Sequence, residues 1–216
     1  MKIAVIGATG YVGNAVVKEL AERGHDVAAF ARNTGKVFAA DNVQAVATDV
    51  NAADFADKLQ GFDAVVSAFN PGWSNPNIGA DFAKGAAAIT EAAKAAAVPY
   101  LLVVGGAGSL YVAPGVQLID TPEFPQEIFA GANAARHLLT DLRDRRDVNW
   151  AFISPPAMFY EGSPFEPKGK YRFGQDDVLM SGDAPAGIHV DDLAKAIADD
   201  AEQKAHLFQR FTVAEV

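Results

Sequence analysis

Cysteine is absent from the 216 residues, which excludes disulfides, thiolate nucleophiles and cysteine-held metal clusters. Histidine is scarce. His25, His137, His189 and His206 are scattered, with no H-E-x-x-H or comparable ligand spacing, so no metal site is expected. Basic residues are outnumbered, 18 Lys and Arg against 27 Asp and Glu, giving a net charge of -9. A nucleic-acid surface needs a clustered basic footprint, so nucleic acid is not an expected partner. No apolar run reaches the roughly 18 to 20 residues that span a bilayer, and the amino terminus lacks the longer apolar region of a secretory segment. No membrane association is therefore expected, and the expected compartment is cytoplasmic. With half its residues hydrophobic, the chain has ample material for one core, and a single domain over 1–216 is expected, as monomer or homodimer.

The best-determined stretch is the first thirteen residues, Met1-Lys-Ile-Ala-Val-Ile-Gly-Ala-Thr-Gly-Tyr-Val-Gly13. Lys2 to Ile6 is a short apolar run typical of a parallel strand buried on both faces. Gly7 permits a tight turn, Gly10 lets the backbone approach a pyrophosphate, and Gly13 allows a helix to pack closely on the strand. Val12, Val16 and Leu20 share one helical face, and Gly24 offers a C-terminal cap. Strand, glycine turn and helix together form a dinucleotide-binding fingerprint, with the helix N-terminus open to a diphosphate. Thr9, Tyr11 and Val12 belong to the same contact set. The spacing G-x-x-G-x-x-G resembles that of the short-chain dehydrogenases, especially their extended and atypical branches.

Strands and helices alternate along the chain, which predicts an α/β fold: a Rossmann-like, doubly wound parallel sheet with helices on both faces and a small irregular C-terminal part. Candidate strands are Lys2 to Ile6, Asp26 to Ala31, Val43 to Ala47, Ala64 to Ser67, Tyr100 to Val104 and Asn149 to Ile153. The alanine-rich run Gly85 to Val98 predicts a helix stopped by Pro99.

At the end of the second strand, NAD sites usually place a carboxylate on the ribose 2′-hydroxyl. This chain has Ala31-Arg32-Asn33 instead. A guanidinium can hold a 2′-phosphate bidentately, which favours NADP(H) over NAD(H); a solvated surface arginine is the alternative. The short-chain dehydrogenase resemblance implies adenine contact by Asp49 and Val50, while Asp49 or Asn51 could equally cap the following helix. After the fourth strand, small Ala68 permits close cofactor approach, and Phe69 and Asn70 begin a loop at the carboxyl edge of the sheet.

The fifth strand ends in Val103-Val-Gly-Gly-Ala-Gly-Ser-Leu-Tyr111. This segment, with Asp120-Thr-Pro-Glu-Phe-Pro125, Tyr171-Arg-Phe-Gly-Gln-Asp176, Ile188-His-Val-Asp-Asp-Leu-Ala194 and Arg210-Phe-Thr-Val213, resembles the NADH-flavin reductase family. These are atypical, NmrA-like short-chain dehydrogenases related to the biliverdin reductase B type. The resemblance places Gly105, Gly106, Pro155, Pro156 and Ala157 around the nicotinamide, with substrate-side loops mainly from 155–190. Ser109 would hydrogen-bond the carboxamide or the acceptor, or else only cap a turn. Tyr111, Trp73, Phe159 and Tyr160 could stack a planar acceptor. The related proteins carry a histidine after the paired prolines; Ala157 stands there in this chain, so no acid role transfers. His189 reads as a packed or surface residue in a short strand before a helix opened by Asp191-Asp192.

Ordinary short-chain dehydrogenases move a proton through Tyr-x-x-x-Lys. None of Tyr11, Tyr100, Tyr111, Tyr160 or Tyr171 has lysine at that offset. The expected activity is hydride transfer from NADPH to a flavin such as FMN, or to a similar planar acceptor such as a quinone, chemistry that asks the protein mainly to stack and orient two rings. A non-catalytic NAD(P)-sensing regulator is the alternative, with a nucleotide-sugar epimerase third.

Overall fold

The computed structural model describes all 216 residues. Strand β1 (Lys2–Ile6) leads into helix α1 (Tyr11–Glu22), followed by β2 (Asp26–Ala31) and β3 (Val43–Ala47). Next come the single turn α2 (Phe55–Lys58), β4 (Ala64–Ser67), the long α3 (Ile78–Ala95) and β5 (Leu101–Val104). A hairpin of β6 (Tyr111–Ala113) and β7 (Val116–Gln117) precedes α4 (Gln126–Arg143) and β8 (Trp150–Ser154). The last third contains β9 (Arg172–Gly174), the hairpin β10 (Met180–Ser181) with β11 (Ala184–Pro185), α5 (Val190–Gln203) and β12 (Arg210–Ala214).

Eight strands form one sheet in the order β3-β2-β1-β4-β5-β8-β12-β9. Seven run parallel; the edge strand β9 is antiparallel to β12, so the sheet is mixed rather than purely parallel. The chain builds outward from β1 in one direction through β2 and β3, then returns to β4 and builds the other way. The reversal leaves a crevice at the carboxyl ends of β1 and β4, where open α/β sheets bind ligands. The continuous apolar runs of β4 and β8 are buried along their whole length, because helices cover both faces. On one face Val16, Val17 and Leu20 of α1 meet Leu193, Ala196 and Ile197 of α5 over Ile3, Val5 and Phe211. On the other, Ile89 of α3 and Leu139 of α4 pack with Ile6, Phe30 and Phe152.

Local signals set most boundaries. α1 ends in a left-handed Gly24 (φ 81°), with Gly24 N–H bonded to Ala21 O and His25 N–H to Leu20 O, a Schellman closure. α3 differs from the expected Gly85 to Val98, starting seven residues earlier at Ile78. It ends at Ala95 because Ala97 takes φ 50°, which lets Val98 N–H reach Ala93 O before Pro99 is met. β8 is shifted by one residue from Asn149 to Ile153, and β5 starts one residue after Tyr100. His189 is not in a strand: it is the N-cap of α5, its Nδ1 accepting from Asp191 N–H at 3.2 Å. Neither Asp49 nor Asn51 caps α2, whose N-cap position is Asp54. No helix is long and apolar enough to cross a membrane.

Candidate functional site

The turn after β1 requires glycine twice. Gly7 holds φ 79°, and a Cβ there would strike the Ala68 carbonyl at the end of β4. A Cβ on Gly13 would strike the Gly7 carbonyl, so strand and helix could not approach as they do. Gly10 is the N-cap of α1 and supplies no side-chain cap, and the first turn holds no acidic residue. Its opening N–H groups therefore donate to no capping side chain.

The crevice is a cleft of about 680 Å³. Gly7, Thr9 and Gly10 line it after β1, Arg32 and Asn33 after β2, Asp49 and Val50 after β3, and Ala68, Phe69 and Asn70 after β4. These residues, drawn from four separate strand ends, are the ones expected around the adenosine and phosphates. Arg32 is exposed and forms no ion pair or hydrogen bond with the protein. Asn33 uses Oδ1 to accept from Gly35 N–H at 3.0 Å. Asp49 Oδ1 accepts the backbone N–H of Asn51 at 2.8 Å and its amide at 3.0 Å. Those two bonds, with Arg32 and Lys84 nearby, hold the Asp49 carboxyl below the usual carboxylate range.

Asn75, Asp81 and Lys84 also line the cleft and were not expected there. The signal was the true start of α3: a helix opening at Ile78 rather than Gly85 puts Asp81 and Lys84 in its first two turns, beside the loop that Asn70 begins. Lys36, one turn beyond Arg32, is not among the lining residues.

The remaining expected residues lie further along the same sheet edge. Tyr11, Val12 and Gly13 form the first turn of α1. Gly105 and Gly106 follow β5, and a Cβ on Gly105 would collide with the Phe152 ring, a packing reason for glycine independent of any ligand. Pro155 and Pro156 are buried immediately after β8, and Ala157 is half-buried. Ser109 is 3 % exposed, and its hydroxyl accepts from Arg210 Nη1 at 3.4 Å. Tyr111 is half-buried, with its backbone N–H on the Asp176 carbonyl at 2.8 Å. Phe159 stacks on Tyr11, ring centroids 5.7 Å apart, while Trp73 and Tyr160 stand largely exposed.

A family model described as NAD(P)H-binding matches residues 7–204. The chain belongs to the NAD(P)H-binding family. The uncharacterised protein YwnB of Bacillus subtilis is 38% identical over 219 residues, covering 99% of this chain and 98% of its own. A Streptococcus pneumoniae structure, provisionally assigned as an NADH-flavin reductase, superposes with TM-score 0.87 at 33% identity over the full length of both chains. A Bacteroides thetaiotaomicron structure with a provisional epimerase assignment gives TM-score 0.88 at 34% identity, covering 100% of this chain and 97% of that one. The resemblance to atypical short-chain dehydrogenases read from the sequence thus holds across the whole chain, and so does the Rossmann-like architecture.

The tyrosines bear on what such a family member can do. Burial, reinforced by the Glu161 and Asp191 carboxylates, raises the Tyr11 pKa. Tyr100 and Tyr171 are raised further, by burial and by hydrogen bonds to Asp200 and Asp199. A lysine partner would act in the opposite direction.

Proposed function

We propose that the protein is an NADPH-dependent reductase that passes hydride to a flavin or a similar planar acceptor such as a quinone. The observation that carries this reading is the unpartnered Arg32 guanidinium in the dinucleotide cleft. A cation at the end of the second strand suits a 2′-phosphate, where a carboxylate would repel it. The other polar groups of the cleft support the reading as well: an uncapped helix start to donate to the diphosphate, the Asp49 carboxylate beside Val50 to accept from the adenine amino group, and the Asn33 amide beside Arg32.

When bound, NADPH supplies a hydride from its nicotinamide C4, which flavin N5 can accept without a protein acid because the ring delocalises the charge. The chain's contribution is then orientation and exclusion of water. Gly105, Gly106, Pro155, Pro156 and Ala157 frame the nicotinamide side with backbone. Tyr111 offers a ring face to the acceptor, and Ser109, whose oxygen accepts from Arg210, keeps its own proton to donate. The loops of 155–190 and the β6–β7 hairpin provide the acceptor side of a single 1–216 domain. The absence of a Tyr-x-x-x-Lys pair supports hydride transfer over alcohol chemistry, since no lysine stands where it would make a tyrosine an effective proton relay.

The test is to mix purified protein with NADPH or NADH and follow cofactor oxidation with FMN, riboflavin and a quinone. Oxidation of NADPH that depends on one of these acceptors is expected. Binding of NADPH with no oxidation by any of them would select a dinucleotide-sensing role instead.

A further inference from the structure

Arg210 opens β12, and its side chain is 1% exposed. Nε donates to Asp176 Oδ1 at 2.8 Å and Nη2 to the Asp176 carbonyl at 3.2 Å. Nη1 reaches the hydroxyls of Ser109 and Ser154, both at 3.4 Å, and Nη2 the Ser109 carbonyl at 3.4 Å. One planar cation thus joins the turn after β5, the end of β8 and the segment after β9 to the start of β12. The Asp176 carbonyl also accepts from Tyr111 N–H at 2.8 Å, which brings in β6. Asp176 Oδ1 takes a second cation, Arg143 of α4, at 3.0 Å. Thr212, two residues after Arg210, donates to the Ser154 carbonyl at 2.7 Å.

This arrangement is costly for the fold alone. A buried guanidinium pays a desolvation penalty that an apolar side chain of similar volume avoids. Its acceptors are also specific in place: Ser109 closes the glycine turn expected at the nicotinamide, and Ser154 immediately precedes Pro155-Pro156. We propose that Arg210 is a positioning residue for the nicotinamide end of the site, locking the Gly105–Ser109 turn to the Ser154–Pro156 segment so that the two rings meet in one orientation. A fork of five N–H donors can bind all these acceptors at once, whereas a lysine ammonium cannot. The inference rests on the dinucleotide reading above and makes Arg210 a determinant of ring geometry without any contact to the adenosine cleft.

The test uses full-length Arg210→Met, Arg210→Lys and Ser154→Ala. Affinity for 2′,5′-ADP, which carries the 2′-phosphate but no nicotinamide, is measured beside the fluorescence of bound NADPH, single-turnover hydride transfer to FMN and thermal stability. Arg210→Met is expected to keep 2′,5′-ADP affinity within about threefold, to lose most of the nicotinamide fluorescence enhancement, and to slow hydride transfer by about tenfold or more. Arg210→Lys should fall between it and the parent, and Ser154→Ala, which leaves the cation buried with its main partner, should slow transfer by about threefold. If Arg210→Met does not fold, those two variants decide. The proposal is overturned if NADPH fluorescence and transfer rate stay at parental levels, or if 2′,5′-ADP weakens as much as NADPH. A parent that binds NADPH but reduces no acceptor defeats the reductase reading alone, because the fluorescence and 2′,5′-ADP measurements still test Arg210.

Discussion

The two halves of the sheet's carboxyl edge are built by different rules. The half proposed for the adenosine is local: Gly7, Gly10 and Gly13 shape one turn, and Arg32 and Asp49 each sit one or two residues past a strand of the β1-β2-β3 run. The half proposed for the acceptor is assembled at a distance. Arg210 holds Ser109 across 101 residues, Ser154 across 56 and Asp176 across 34. Local geometry makes a generic cofactor site that many sequences can share, whereas long-range ties set the orientation of whatever reacts there.

The sharpest way to break the local half is Gly13→Val. Its Cβ would be driven into the Gly7 carbonyl, and backbone cannot yield as a flexible side chain can. We expect a loss of about 3 kcal/mol or more of stability and no measurable dinucleotide binding. Chemical denaturation and titration with NADPH check both, and wild-type-like stability would show that strand and helix can separate without harm.

The acceptor half should respond differently. Asp192, 2% exposed, accepts the backbone N–H of Lys168 at 2.8 Å and of Gly169 at 2.7 Å, pinning the loop before β9 to α5. Asp192→Ala strands two donors and should cost about 2 kcal/mol. Acceptor KM should rise while 2′,5′-ADP affinity holds. Equal weakening of both ligands would erase the distinction between the halves.

Arg32→Asp probes the local half without touching the fold. We expect about 1 to 2 kcal/mol of NADPH affinity to be lost relative to NADH, the worth of a charge-assisted pair. Dissociation constants for the two cofactors measure it, and parallel changes would remove the 2′-phosphate role.

The same division explains what the sequence disclosed. The strand–turn–helix at the amino terminus, five further strands and the cleft residues from Gly7 to Asn70 follow from short-range pattern and were legible. Asp81 and Lys84 lie outside the expected set because the alanine-rich run draws the start of α3 to Gly85, although Pro76 and Asn77 stand just before its true start at Ile78. His189 reads as a strand residue by its apolar neighbours, and only the fold reveals a cap. The roles of Asp176 and Arg210 could not be seen at all, since nothing in Tyr171–Asp176 or Arg210–Val213 states that they meet. β9, β10 and β11, two or three residues each, are too short for an alternation to show.

A last substitution should leave both halves unchanged and so calibrates the comparison. Glu202, on α5 away from the cleft, pairs with His25 Nε2 at 2.7 Å and Arg23 Nη1 at 3.2 Å. Burial alone would raise its pKa, but the bonds from His25 and Arg23 more than offset this and hold it below the ordinary glutamate value. A carboxyl depressed on folding contributes stability that is complete above its unfolded pKa, near 4.3, and is lost as pH falls through the folded value. Wild-type stability should therefore decline below about pH 5 more steeply than that of Glu202→Gln. At neutral pH the variant should be weaker by only about 0.5 to 1 kcal/mol, because the pair is part-exposed and screened. Denaturation midpoints from pH 3 to 7 measure this, and parallel curves would remove the ion pair from the acid response. NADPH and 2′,5′-ADP affinities should not move, so any change in them would mean that α5 transmits strain to the edge and that the two halves are not separately built.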